Sequence, residues 1–172
     1  PGGPSAAHII GYVRSRGRLS NGPIVHGDLV FEDTYGDAGL EKTMDQELTG
    51  RPGERKVIFD SGGRKLRDEL TRRPRIGHTV VTTFNLDWQR HAEKVLEDHC
   101  KRGALVVIDI PTGEVLVLAS RPSYDINIWI PRISSEELKT LTDDEGRPMF
   151  GRAFQGLYPP ASSFKPVVAL TA

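Results

Sequence analysis

Two almost uninterrupted apolar runs, Ala104 to Ile110 and Val115 to Ser120, bracket Pro111, Thr112 and Gly113, and this hairpin restricts the fold more than any other stretch. Proline in second place and glycine in fourth suit a tight reversal. Strands that are apolar at successive positions, rather than at alternate ones, are usually covered on both faces. The hairpin is therefore expected at the centre of a sheet with helices on each side. The 172 residues supply too few other strands to complete that sheet. Helical and strand signals are otherwise mixed along the chain, which predicts an α+β fold.

Upstream, Ile9, Ile10, Tyr12 and Val13 read as a short strand, and Gly17, Asn21, Gly22 and Pro23 mark a loop before the apolar Leu29, Val30 and Phe31. Asp37 is a plausible N-cap for a helix carrying Leu40, Met44 and Leu48 at every fourth place, with Gly50 as its stop and Pro52 beyond. Val57 to Phe59 and Leu66 to Leu70 flank Ser61, Gly62 and Gly63, the pattern of a hairpin with an exposed outer strand. The basic, proline-containing stretch Arg72, Arg73, Pro74 and Arg75 lacks apolar periodicity, so a division into residues 1–76 and 77–172 is expected near Gly77. Beyond it, Val80 to Phe84 reads as a strand. Asn85 or Asp87 then caps a helix with Trp88, Ala92, Val95 and Leu96 along one face. Ser134 and Glu137 have capping-box spacing ahead of Leu138 and Leu141. Tyr158, Pro159 and Pro160 impose an extended approach to a last helix that Ser162 opens. Val167 to Ala172 is an apolar helical run with no stop signal, as expected of a piece of something longer.

Composition removes several classes of function. The 23 Lys and Arg balance the 23 Asp and Glu, so no whole-chain field gathers nucleic acid or anionic lipid. A single cysteine, Cys100, closes no internal disulfide and excludes multi-cysteine zinc frameworks. His8, His26, His78, His91 and His99 do not fall at spacings that bring two to one helical face, so no metal site is expected. Gly62 and Gly63 lack the lysine of a phosphate loop. The arginines at 14, 16 and 18 and at 72, 73 and 75, and the acidic Asp143, Asp144 and Glu145, read as solvated faces. Trp88 and Trp129 are expected to be core or loop anchors.

What remains is Ser162, Ser163, Phe164 and Lys165. A serine and a lysine three residues apart share one side of a helical turn. A serine hydroxyl is a poor nucleophile until a base takes its proton, and an uncharged lysine amine can take it. At a helix start, unpaired amides favour negative charge on the serine oxygen and disfavour the ammonium form of the lysine. Alone, this pair is common in proteins. Its setting, downstream of an apolar hairpin and a Tyr-Pro-Pro approach, is not.

Ala104 to Ser120, followed by Arg121, Pro122, Ser123, Tyr124, Asp125 and Asn127, resembles the first hairpin and following loop of the penicillin-binding transpeptidase domain. Arg152 and Ala153, then Tyr158 to Lys165, are similar to its active-site approach. His8, Gly11, Tyr12 and Val13, with Gly39, Leu40, Glu41, Lys42, Asp45, Leu48, Gly50 and Gly53, resemble the pedestal, or dimerisation-type, domain of class B penicillin-binding proteins. Tyr-Pro-Pro favours the elongation-type branch over the division type. The chain departs from the family pattern at Ala161, Ser163, Gly151 and Ile126, where glycine, threonine, asparagine and proline are usual. It also lacks the family's Ser-x-Asn and Lys-Ser/Thr-Gly motifs.

The resemblance implies a sheet-rich pedestal over residues 1–76. Over 77–172 it implies the first strands and nucleophile helix of a transpeptidase domain, incomplete here. It further implies Ser162 as the acylated nucleophile, Lys165 as its base and the Ser162 amide as one arm of an oxyanion hole, with no metal or organic cofactor. The implied partners are peptidoglycan stem peptides, beta-lactams and cell-wall elongation proteins such as a glycan polymerase. The implied location is the periplasmic side of the bacterial inner membrane, held by an N-terminal helix outside this chain. Open strand edges are compatible with a homodimer. Two other functions stay open: a non-catalytic interaction module, and a hydrolytic carboxypeptidase or lactamase.

Overall fold

A computed structural model describes residues 5–16, 33–130 and 132–171. The chain begins with a short helix, α1 (Ala7–Ile10), where the apolar Ile9, Ile10, Tyr12 and Val13 predict a strand. Left-handed backbone at Ala6 and Gly11 closes the turn, so that Ile9 and Ile10 both donate to the Ala6 carbonyl. Ala7, His8 and Ile9 are all buried in succession, and tertiary packing overrides the strand signal. β1 (Val13–Arg16) then pairs antiparallel with β2 (Asp33–Gly36), Val13 lying opposite Gly36. The expected loop from Gly17 to Pro23 and the apolar Leu29 to Phe31 lie outside the described residues.

The helix expected after Asp37 is two helices, α2 (Gly39–Thr43) and α3 (Asp45–Thr49), broken at Met44, which leaves helical geometry with φ −110° and ψ 22°. Leu40, Met44 and Leu48 are still half-buried, and Gly50 ends the run with φ 70° as expected. Asp37 does not cap. Ala38 holds the cap position, and Asp37 instead meets Arg14 at 2.7 Å. β3 (Glu54–Phe59) and β4 (Lys65–Arg72) form the second predicted hairpin, exposed along most of its length. At its turn the Asp60 carboxylate accepts from the amides of Gly62 and Arg64, at 3.0 and 2.8 Å.

The segment from Val80 to Phe84 is not a strand. It runs beside the third sheet, making one side-chain bond from Thr83 Oγ1 to the Val115 carbonyl, and Asn85 N donates to the Leu116 carbonyl. Asn85 caps α4 (Leu86–His99) by accepting from Trp88 N at 3.1 Å. β5 (Gly103–Ile108) and β6 (Val115–Arg121) are the apolar hairpin, with Val107 opposite Val117. α4 covers one face through Ala92 and Leu96, against Val117 and Ala119. The expectation that both faces are covered fails along β5, whose burial alternates and leaves Val106 43% and Ile108 53% exposed. The described chain carries only this two-stranded sheet here, and α6 (Arg152–Gln155) touches it through Ala153 N, which donates to Ser120 Oγ. Trp88, expected on the packing face of α4, is 53% exposed, and Gln89 takes that place. α5 (Ser135–Asp143) has the predicted capping box of Ser134 and Glu137.

Gln89 explains how α4 and β6 fit. Its amide accepts from Leu118 N at 2.8 Å and donates to the Leu118 carbonyl at 3.3 Å, sealing the edge of β6 that faces away from β5. The side chain is 1% exposed. All three sheets among the described residues are two-stranded, and such hairpins are marginal in water unless a helix or cluster covers them. Replacing Gln89 by Leu should lower the stability of the chain in urea by about 2 kcal/mol, because a buried Leu118 amide loses its partner. Amide exchange at Leu118 should accelerate at the same time.

Candidate active site

The site is built from two pieces, a joint that fixes a loop and an arm that leaves it. In the joint, Ala7 and Tyr12 pack with Tyr124 and Trp129, and the Tyr12 and Trp129 rings stack 3.7 Å apart at 7°. Trp129, in the 3-10 turn Ile126–Trp129, is 3% exposed, the anchor that the sequence suggests. Arg14 lies over the same pair, 5.3 Å from the Trp129 ring. The Ala6 amide donates to Glu93 Oε1 of α4 at 2.7 Å. His8, 8% exposed, is set edge-on to Tyr124 and donates through Nε2 to the Pro148 carbonyl at 2.7 Å. To make that bond the His8 ring must carry a proton on Nε2.

That carbonyl belongs to the loop that curls around Arg152. The guanidinium donates to the carbonyls of Gly146, Arg147 and Phe150, and the residue is 8% exposed. Past α6 the chain runs out as an arm through Leu157, Tyr158, Pro159 and Pro160, all exposed. Ala161 adopts φ 48°, a left-handed conformation that glycine takes without strain, and glycine is the residue the resemblance leads one to expect there. Ser162 does not open an α-helix. It sits in the 3-10 turn Ala161–Phe164, and α7 (Lys165–Thr171) begins at the lysine, whose amide donates to the Ser162 carbonyl.

Ser162 therefore lies inside the 3-10 turn and Lys165 just beyond it, at the first position of α7, three residues apart across the junction. Both side chains are exposed and neither has a hydrogen-bond partner among the described residues. The neighbouring Ser163 donates its hydroxyl to the Pro160 carbonyl, which ties it into the turn. The apolar terminal helix is exposed along its length: Val167 is 47%, Val168 53% and Leu170 89% exposed. The nearest sizeable cavity, about 440 Å³, is lined by Arg102, Glu145, Arg147, Phe150, Leu157 and Tyr158 among others, and neither Ser162 nor Lys165 lines it. Among the described residues no group of three His, Cys, Asp or Glu could hold a metal ion. Neither Trp88 nor Cys100 lines that cavity, and both are exposed. Sequence reasoning on charge and periodicity missed His8 and Arg152. Their one signal is the resemblance, which marks both positions.

Comparison with known proteins bears on both pieces. Residues 1–82 match the penicillin-binding protein dimerisation domain and residues 103–172 match the penicillin binding protein transpeptidase domain. The chain belongs to the penicillin-binding proteins. It falls in the elongation-type branch. The peptidoglycan D,D-transpeptidase MrdA of Escherichia coli K12 is 36% identical over the whole of this chain, which spans 28% of that relative. A penicillin-binding protein 2 of Pseudomonas aeruginosa, solved in complex with WCK 5153, is 33% identical with a TM-score of 0.70, over 96% of this chain and 31% of that one. The Helicobacter pylori protein solved in complex with MreC is 28% identical with a TM-score of 0.72, over 98% of this chain and 31% of that one. The mixed fold of small sheets and helices agrees with this family, and the chain spans less than a third of its relatives.

The joint has a pH signature. Burial lowers the His8 pKa below its ordinary 6.5; the hydrogen bond to the Pro148 carbonyl opposes this, Arg152 adds to the lowering, and Glu93 pulls the other way, with the net shift downward. The unfolded chain therefore binds a proton that the folded chain resists, and this contribution to stability is lost as pH falls below about 6.5. Urea unfolding should show the wild-type chain weakening between about pH 7.5 and 5.5, whereas His8→Gln, which keeps a donor but cannot titrate, should show a smaller fall. Equal falls would remove His8 from the account.

Proposed function

We propose that the protein of which this chain is part is a peptidoglycan D,D-transpeptidase, and that Ser162 is its nucleophile. The hydroxyl attacks the penultimate D-alanine carbonyl of a stem peptide while Lys165 takes its proton. The tetrahedral oxyanion is stabilised by the Ser162 amide together with groups outside this chain. Collapse expels the terminal D-alanine, and a neighbouring amine then takes the acyl group and frees the serine. Beta-lactams acylate the same oxygen. One observation carries the reading: a serine in a 3-10 turn and a lysine three residues on, at the first position of α7, within the stretch that matches the transpeptidase domain.

The division of labour proposed is a non-catalytic pedestal over residues 1–76 and the opening of the transpeptidase domain over 77–172. Location on the periplasmic side of the inner membrane, with an anchoring helix outside this chain, belongs to the same reading. Among the described residues no helix is long and apolar enough to cross a membrane. An interaction role for the pedestal is a second reading, compatible with the first, and it is favoured by the H. pylori relative having been solved with MreC. It extends to elongation partners such as a glycan polymerase, and to a second copy of the chain. A stand-alone carboxypeptidase or lactamase leaves the dimerisation-domain match over residues 1–82 without a role.

A fluorescent penicillin should label a chain extended to the relatives' full length and should leave residues 1–172 unlabelled. Ser162→Ala should abolish labelling of the extended chain, and Lys165→Ala should slow it by about 10²-fold or more, as expected for loss of a positioned base. Labelling that survives Ser162→Ala would remove the assignment.

A further inference from the structure

Arg152 is a buried cation with no carboxylate opposite it among the described residues. Its charge is met by three backbone carbonyls, from Nη1 to Arg147 at 3.1 Å and Phe150 at 3.3 Å, and from Nη2 to Gly146 at 2.5 Å. Burying a charge with no carboxylate opposite it is costly; the Phe150 ring lies 5.5 Å from the guanidinium carbon, and the three carbonyls come from within six residues of one loop. The loop is thereby wound around the guanidinium.

What leaves that winding is the arm bearing Ser162. α6 starts at Arg152 itself, and its next amide, Ala153 N, is fastened to Ser120 Oγ of β6 at 3.0 Å. Gly151 N is held by Gln155 Oε1 at 2.8 Å. At Gly156 the chain passes so close to Arg152 that a Cβ there would meet the Arg152 carbonyl oxygen at 2.7 Å. Two prolines then limit how the following segment can swing before Ser162.

We infer that Arg152 is a positioning residue for acylation: by winding the loop of residues 146–150 it sets the direction in which the arm presents Ser162. This rests on the reading of Ser162 as nucleophile. Arg152 touches no reacting atom in this account. A misplacement of the nucleophile by about 1 Å can cost on the order of 10²-fold in rate without weakening binding, so its loss should appear in the acylation step. Lysine keeps the charge but cannot span three carbonyls as the planar guanidinium does, so it should restore only part of the rate.

The test uses the full-length protein and a fluorescent penicillin, with stopped-flow kinetics separating the dissociation constant of the first complex from the acylation rate constant. Arg152→Gln should lower the rate constant by about tenfold or more and change the dissociation constant by less than about threefold, with Arg152→Lys between Gln and wild type. Asp60→Ala, which removes the carboxylate that closes the β3–β4 turn far from β6 and the arm, should lower the melting temperature yet acylate at close to the wild-type rate. Acylation by the Arg152→Lys and Arg152→Gln proteins within about twofold of wild type would overturn the inference, and so would equal slowing by Asp60→Ala. If Arg152→Gln does not melt cooperatively, Arg152→Lys decides alone. Acylation that persists in Ser162→Ala sinks the catalytic reading and this inference with it. Its loss there, together with wild-type rates in the Arg152 variants, sinks this inference only.

Discussion

Tyr12 stacked on Trp129 is the contact on which the described structure turns. The two residues are 117 positions apart in sequence, yet their rings lie 3.7 Å from each other, and with Ala7 and Tyr124 they close a cluster that the half-buried Ile126, Ile128, Leu138, Leu141 and Met149 surround. Stacked aromatic pairs contribute roughly 0.5–1.5 kcal/mol beyond their area. The cluster does more than that figure says, because none of the two-stranded sheets beside it is self-sufficient. It has a cost as well, since the indole N–H of Trp129 is buried with no partner among the described residues.

From that joint the polar groups form a connected series. His8 reaches the Pro148 carbonyl, the loop bearing that carbonyl is wound on Arg152, and α6 is fastened to β6 through Ser120. On the other side Gln89 seals β6 and donates to Glu93 Oε1, which also accepts from the Ala6 amide. Each of these buried side chains is satisfied by backbone or by a neighbour, as burial demands. The arm beyond Gly156 has no such fastening. Its hydroxyl, its amine and the apolar face of α7 all stand in solvent, so the nucleophile is aimed by its root rather than held along its length.

Local chemistry was readable wherever a short-range rule sufficed. The capping box at Ser134 and Glu137, the Asn85 cap, the stop at Gly50 and both hairpins follow from residues within a few places of one another. The failures are tertiary. Ile9, Ile10, Tyr12 and Val13 read like a strand, but the successive burial of Ala7, His8 and Ile9 goes with a turn of helix there. Val80 to Phe84 has the composition of a strand, yet the edge it would pair with is already occupied by Gln89. Of the candidate site, Ser162 and Lys165 were legible as a pair. That Ser162 sits in a 3-10 turn, with Lys165 opening the helix after it, was not, because Tyr-Pro-Pro predicts an extended approach without fixing the winding of the turn after it. Arg152 reads on paper as one charge among many, and only its burial sets it apart.

A match to two domains of the family stands beside one chemical proposal, a hydroxyl and an amine three residues apart at the end of a rooted arm. Its central claim is the identity of the acylated atom. The most direct measurement is mass spectrometry of tryptic peptides from the full-length protein after reaction with benzylpenicillin. Cleavage after Arg152 yields a peptide starting at Ala153 that contains both Ser162 and Ser163, and fragmentation should place the added mass on Ser162 alone. An adduct on Ser163, or on any residue outside that peptide, would contradict the account.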